Sequence, residues 1–283
     1  MIREWIQEYT PKNKDQAEFA LREIMQEIAL AGLQRTGFFE RAAFYGGTAL
    51  RIFYGLNRFS EDLDFSLLET DPDFSLEPYF DGIIREFDAI GMKVSIREKN
   101  KTNNTNIDSA FLKSETVWKE LILDDIIPQA GIQAPPSIKI KLEVDREPPL
   151  GFETEEKLLL RPFSFYVKCF TLPNLFAGKM HALLFRRWGT RVKGRDWYDL
   201  EWYIKKAVAL DLHHFSLRAH DSEDWTNDPI TRDQLLDLLK AKINTVSFDG
   251  IRTDIEKFIP DTSVLDIWSP QYFNDLVDKI KTK

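Results

Sequence analysis

Three patterns predict an α+β fold: a mixed sheet flanked by helices, with a C-terminal helical region. Residues 137–147, SIKIKLEVDRE, alternate strictly, with Ile138, Ile140, Leu142 and Val144 set against Lys139, Lys141, Glu143 and Asp145. That is the period of a strand with one face buried. Residues 14–35 instead repeat at helical spacing: Ala17, Leu21, Ile24, Ile28 and Ala29 form one stripe, widened by Phe19, Met25 and Leu33. After Pro173 the pattern is helical almost without interruption, so strands and helices segregate along the chain.

Taken in order, the 14–35 helix is followed by AAFYGG (42–47), a short buried strand ending in a glycine turn. TALRIFYGL (48–56) reads as a helix with Thr48 at its start and Gly55 near its end. DLDFSLL (62–68) reads as a strand, the Pro/Asp-rich 70–78 as a turn, and 79–90 as a helix. Further strands are expected at 93–100, 107–113, 137–147 and 163–170. Helices are expected at 175–188, 195–208, 231–244, 251–258 and 270–281. The division this suggests is an α+β part, 1–170, and a mainly helical part, 171–283.

Composition narrows the class. With 43% hydrophobic and 13% aromatic residues among 283, the chain can bury a sizeable core and is not of disordered composition. The single cysteine, Cys169, excludes an internal disulfide framework and a Cys-rich zinc site; a core role and a reducing, cytoplasmic setting are expected. The N-terminal stretch has no apolar h-region, so it is not read as a secretory signal. No apolar run is long enough to span a bilayer, and no membrane partner is expected. The net charge of −8 argues against a nucleic-acid coat protein, but it is unevenly spread. Residues 61–84 carry eight acids and no base, and 221–283 carry a net −5, which leaves +5 on the rest.

The stretch YGGTALRIFYGLNRFSEDLDF (45–65) carries the chemistry. Gly46 and Gly47 join a strand to a helix, where backbone N–H groups point outward beside the positive helix end, a setting for phosphate oxygens. Thr48 adds a hydroxyl or simply caps the helix. Asp62 and Asp64 lie two apart on a strand, hence on one side, with Leu63 opposite. Two carboxylates that close repel unless a cation lies between them, and hard oxygen ligands suit Mg²⁺. Glu143 or Asp145, which share one strand face, can complete a site for two ions. The plainer reading of that face, with Lys139 and Lys141, is the wet side of an edge strand.

The combined pattern G-G-T-x₁₁-S-E-D-L-D-F resembles the first motif of the polymerase-beta-type nucleotidyltransferases, and more closely the AbiEii/AbiGii-type toxin nucleotidyltransferases. Arg58, Ser60, Glu61, Asp62, Asp64 and Phe65 stand where that family's R-x-S-x-D-x-D-F pattern places such residues. The likeness continues through KIKLEVD (139–145) and FAGKMHALLFRRWGTRVKGRDWYDL (176–200). It implies a nucleotidyltransferase-like sheet, an NTP as co-substrate held by Gly46, Gly47, Thr48, Ser60 and Lys179, and Mg²⁺ (two ions, with Mn²⁺ as an alternative). It also implies an active-site lysine on the later helix, Lys179, and an acid in the RDWYD segment, Asp196 or Asp199. As a point charge, Lys179 suits the far phosphates of the nucleotide. The resemblance further implies a toxin of a toxin–antitoxin (abortive infection, phage defence) system. Such a toxin has a cognate antitoxin and transfers a nucleotide to a tRNA or other RNA 3′ end. Transfer to a protein hydroxyl, or a non-catalytic nucleotide-binding module, are the alternatives.

Arg186, Arg187, Arg191, Lys193 and Arg195, with Trp188 among them, suggest a basic loop for nucleic-acid phosphates or, equally, a solvated loop. His213 and His214 lack the spaced partners of a zinc site, so surface or capping roles are expected of them. His181, two residues after Lys179, points elsewhere on the helix. No GxxxxGK[ST], GxSxG or kinase signature is present.

Overall fold

The computed structural model describes residues 2–98, 116–123, 138–186, 192–227 and 229–283; of 97–98 and 116–123 it describes the backbone. The chain forms two compact units. The first comprises 1–55, 59–150 and 154–169, and the second comprises 56–58, 151–153 and 170–283.

The first unit opens with helix α1 (Ile2–Glu8) and the long α2 (Lys14–Arg35), as the 3.6-residue stripe predicts. Asn13 caps α2, its side chain accepting from the Gln16 N–H at 2.9 Å, a contact worth about 1 kcal/mol. Then follow β1 (Ala42–Tyr45), α3 (Gly46–Tyr54), β2 (Leu63–Leu67), α4 (Glu77–Ala89), β3 (Val94–Glu98), β4 (Thr116–Leu123), β5 (Lys139–Asp145), β6 (Thr154–Leu159) and β7 (Phe165–Phe170). Among the described residues these strands make one seven-stranded mixed sheet, in the order β3-β4-β5-β2-β1-β7-β6. β2 is central, antiparallel to β1 on one side and parallel to β5 on the other. An aromatic core forms around Phe38, whose ring meets Phe65 at 4.8 Å and Tyr79 at 5.0 Å, both edge-on. Full burial of each such ring contributes about 1.5–3 kcal/mol. Cys169 is buried, as expected of a core thiol.

The second unit holds α5 (Leu172–Phe185), α6 (Gly194–Lys205), β8 (Ala209–Leu210), α7 (Leu212–Asp221), α8 (Arg232–Thr245), α9 (Phe248–Ile255), α10 (Pro270–Val277) and β9 (Lys281–Thr282), with β8 and β9 paired in parallel. Phe176 of α5 stacks on Tyr203 of α6 at 4.3 Å. Trp268 is buried with its indole N–H donated to Glu201 at 3.1 Å, so the polar edge of this large ring is satisfied. α8 begins with a capping box in which Thr231 and Gln234 exchange hydrogen bonds. Among the described residues no helix is long and apolar enough to cross a membrane.

Several elements differ from the sequence reading. α3 starts at Gly46, two residues before Thr48. β6 and α7 are elements that the periodicity does not announce. β6, TEEKLL, lies at the sheet edge with Thr154, Glu156 and Leu158 exposed, so its letters look like a loop's. α7 includes the HH pair; Asp211 caps it by accepting from the His214 N–H at 2.9 Å. His213 and His220 are exposed, but His214 is fully buried and His181 nearly so. The surface role expected of His214 is thus corrected: its ring fills an apolar slot edge-on to Phe152 and Phe170. The strand expected at 107–113 lies outside the described residues.

Candidate active site

In the first unit, β1, α3, β2 and β5 set the glycine turn and the acids on adjacent elements. The peptide turns at Gly46 with φ 84°, a conformation L side chains rarely adopt. A Cβ there would lie 2.3 Å from Asp64 Oδ2 and 3.1 Å from Asp64 Cβ. Glycine therefore lets the backbone press directly against the Asp64 carboxylate. Asp64 is the cross-strand partner of Tyr45 in β1, the residue that leads into the turn. The first-turn N–H groups of α3, at Gly46, Gly47 and Thr48, have no intrahelical acceptor and lie next to this acid in sequence register.

Thr48 is fully buried, and its hydroxyl donates to the backbone C=O of Asp62. The expectation that this hydroxyl caps the helix or meets phosphate is thereby corrected. It ties the first turn of α3 to the residue entering β2, and only the backbone of Thr48 is left for a phosphate. Ser60 is held next door, its C=O accepting from Gln26 Nε2 at 3.2 Å.

Asp62 and Asp64 are each half-buried while Leu63 between them is buried, which is the alternation the D-x-D spacing predicts. In the parallel pairing of β2 with β5, Asp64 stands opposite Glu143 and Ser66 opposite Asp145. Glu143 is half-buried and its carboxylate pairs with the Lys141 ammonium. Asp145 is 8% exposed and accepts from the Glu147 N–H at 3.3 Å. The register therefore favours Glu143 as the neighbour of the D-x-D pair. Among the described residues, no three His, Cys, Asp or Glu side chains stand gathered so as to hold a metal ion. The donor set offered by Asp62, Asp64 and Glu143 consists entirely of hard carboxylate oxygens, which fits Mg²⁺ and does not fit a soft metal.

The second unit holds a separate cluster. Lys179 on α5 places its ammonium 2.8 Å from Asp199 Oδ2 and 3.8 Å from Asp196 Oδ1, both acids on α6. The two acids share a helix face, as their spacing requires. Asp199 is 0% exposed and also receives Arg58: Nε donates to Oδ1 and Nη2 to Oδ2, each at 2.6 Å. Burial pushes the Asp199 carboxyl up, but Arg58 and then Lys179 outweigh it and hold it at about 2. Burial pulls the Arg58 guanidinium down, and the charge and hydrogen bonds of Asp199 reverse that to a net rise. Lys193, just before α6, is lowered to about 8 by burial, opposed by Asp196 and reinforced by Lys179, Arg186 and Arg195. Asp254 of α9 accepts from the Gly194 N–H at 2.9 Å and fixes the start of α6.

The sequence reading found Lys179, Asp196 and Asp199 but left the acids unranked. The geometry separates them: Asp199 makes the short contact to Lys179, Asp196 the long one. It missed the Arg58–Asp199 pair, whose members lie 141 positions apart. The available signal was Arg58 itself, a base standing four positions before Asp62. Of the basic stretch, Arg187, Trp188 and Arg191 lie outside the described residues. His181 makes a hydrogen bond to Ser222 at 2.9 Å, away from the lysine cluster's acids.

Residues 28–279 match the family described as nucleotidyl transferase AbiEii toxin, type IV toxin–antitoxin system. A search of curated protein sequences gives no match. Among solved structures, the chain is similar to MenT4, a nucleotidyltransferase toxin of Mycobacterium tuberculosis H37Rv. The TM-score is 0.61 at 15% identity, with 98% of this chain and 88% of that one covered. It is also similar to a protein of H. pylori assigned as a nucleotidyltransferase, with TM-score 0.53, 18% identity and coverage of 91% and 92%.

Proposed function

Since the chain belongs to the AbiEii nucleotidyltransferase toxin family, we propose that it transfers a nucleoside monophosphate from an NTP to the 3′ hydroxyl of a tRNA or other RNA, in a Mg²⁺-dependent reaction. The observation that supports this reading is the position of Asp64, against Gly46 and opposite Glu143: a glycine turn, a D-x-D pair and a third acid lie on neighbouring elements of one sheet.

In this reading the N–H groups of Gly46, Gly47 and Thr48 cradle the triphosphate at the positive end of α3, and Ser60 contributes beside them. Asp62, Asp64 and Glu143 would hold the metal; Asp145, in its more buried position, supports the strand. A bound Mg²⁺ would supply acidification of the acceptor hydroxyl and charge stabilisation of the pyrophosphate. Lys179 neutralises phosphate charge, Asp199 orients it, and Asp196 is the looser second acid. The bond formed joins the acceptor oxygen to the α-phosphorus, and the bond broken releases pyrophosphate. The protein supplies positioning and charge rather than a covalent intermediate. A cognate antitoxin is the expected protein partner, the cytoplasm the expected setting, and abortive infection the expected biology.

The test is transfer of α-labelled NTPs into total RNA by the wild type and by Asp62→Asn/Asp64→Asn, with and without EDTA. RNase-sensitive label that disappears with EDTA and in the variant supports the reading. Label removed by protease instead moves the acceptor to a protein. Wild-type transfer by the double variant overturns the metal assignment.

A further inference from the structure

The lysine cluster contains a charge that nucleotide transfer does not itself call for, the guanidinium of Arg58. It is 1% exposed, and both oxygens of Asp199 are engaged by it at 2.6 Å. Lys179 shares one of those oxygens and is the group that keeps contact with solvent, with 14% of its side chain exposed. A lysine whose buried aspartate had no other partner would form a neutral pair, with little net attraction for an incoming anion. Here the aspartate is already matched by a bidentate arginine, the strongest geometry a carboxylate can find. The trio Arg58, Asp199 and Lys179 therefore carries one net positive charge, and its only solvent-facing member is Lys179.

We propose that Arg58 is a positioning residue that neutralises Asp199 from behind and so keeps the Lys179 ammonium available to a polyphosphate. The inference rests on Lys179 being a phosphate-binding group. Three further observations support it. Asp199 stays ionised well below the ordinary carboxylate range, so its charge must be balanced at every working pH. Asp196, the other acid facing Lys179, stands at ion-pair distance, 3.8 Å, and leaves the ammonium without a second hydrogen bond from α6. Lys193, which feels both Lys179 and Asp196, supplies a positive charge that offsets Asp196, so the neighbourhood keeps the one net positive charge of the trio. Buried arginine rather than lysine suits the role because its charge cannot be shed.

Inorganic tripolyphosphate is the probe, since it carries the charge of the nucleotide without a base. Its binding to the full chain is measured by calorimetry at low ionic strength, where screening is weakest, with melting curves to verify folding. Lys179→Met is expected to weaken binding about tenfold or more, and Arg58→Met by a similar factor, because Asp199 then neutralises Lys179 fully. Arg58→Met/Asp199→Asn is expected to return to within about threefold of wild type, because the charge at Lys179 is restored; replacing both members of a buried pair is far milder than replacing one. A purely structural role for Arg58 does not predict that rescue. Unchanged binding in folded Arg58→Met, with Lys179→Met impaired, overturns the inference alone. Failure of the double variant to regain affinity also overturns it, and decides the matter where Arg58→Met does not fold. Unchanged binding in Lys179→Met overturns the phosphate role of Lys179 itself, and the inference with it.

Discussion

Replacing Gly46 by alanine separates two costs that usually arrive together. The backbone cost comes from φ 84°: an L residue there is destabilised by about 1–2 kcal/mol. The second cost is contact. The new Cβ falls 2.3 Å from Asp64 Oδ2, while ordinary contact begins at 3.4 Å, so the carboxylate must retreat by about 1 Å. Rotation of the carboxylate relieves the shortest contact, and Asp64 Cβ, at 3.1 Å, must give by a few tenths of an ångström; the expected result is a chain that still folds with the Asp64 carboxylate displaced by about 1 Å. A displacement of that size in a catalytic group costs about 10²-fold in rate. Gly55→Ala is the control, with φ 77° and nothing within 4 Å of the added Cβ. Both variants should lose about 1–2 kcal/mol in urea unfolding, but only Gly46→Ala should lose nucleotide transfer, by about 10²-fold. Transfer by Gly46→Ala within about threefold of wild type, or an equal loss in Gly55→Ala, refutes the claim that Gly46 exists to seat Asp64.

Three other outcomes follow from the geometry. Glu143→Gln should cut transfer by about 10²-fold or more, whereas Asp145→Asn, buried opposite Ser66, should cost stability and leave most of the rate; the reverse pattern refutes the register argument. Glu27 is raised from 4.5 to about 7, by burial first, with Arg161 opposing. The native state therefore binds more protons than the unfolded state between those values, and stability falls as pH rises through that window, by up to about 3 kcal/mol. Glu27→Gln should flatten that slope in denaturation at pH about 5 and about 8, and parallel slopes for variant and wild type contradict it. His214 is pushed down from 6.5 to about 3 by burial, and neither ring nitrogen has a hydrogen-bond partner among the described residues. Its contribution is complete above 6.5 and is lost as pH falls toward 3. His214→Leu should gain about 1–2 kcal/mol near neutral pH, more in acid; a loss at both pH values shows that the ring's packing outweighs its unmet polarity.

Much of the molecule is legible from local pattern. The stripe over 14–35, the alternation of 139–145, and the shared face of Asp62 and Asp64 all follow from periods of 3.6 and 2, and the structure has them. The glycine turn and the acids were found because backbone geometry and carboxylate repulsion constrain neighbours in sequence. β6 and α7 were not found. One is an exposed edge, and the other owes its place to a capping aspartate and to a histidine buried against two phenylalanines, so neither shows a local period.

What only the tertiary structure decided is which distant residues meet. Glu143 and Asp145 share a strand face and are equivalent by periodicity; the parallel register of β5 on β2 sets one beside Asp64 and the other beside Ser66. Thr48 looks like a cap until the chain returns and offers it the Asp62 carbonyl. Arg58 and Asp199 have no sequence relation, yet the buried acid stays ionised because a guanidinium, together with Lys179, reaches it. The sequence by itself determined the kinds of groups present and their local spacing, because those depend on bonds and dihedrals. Their partners were decided by packing, because a cross-strand neighbour or a buried counter-charge depends on where the whole chain closes upon itself.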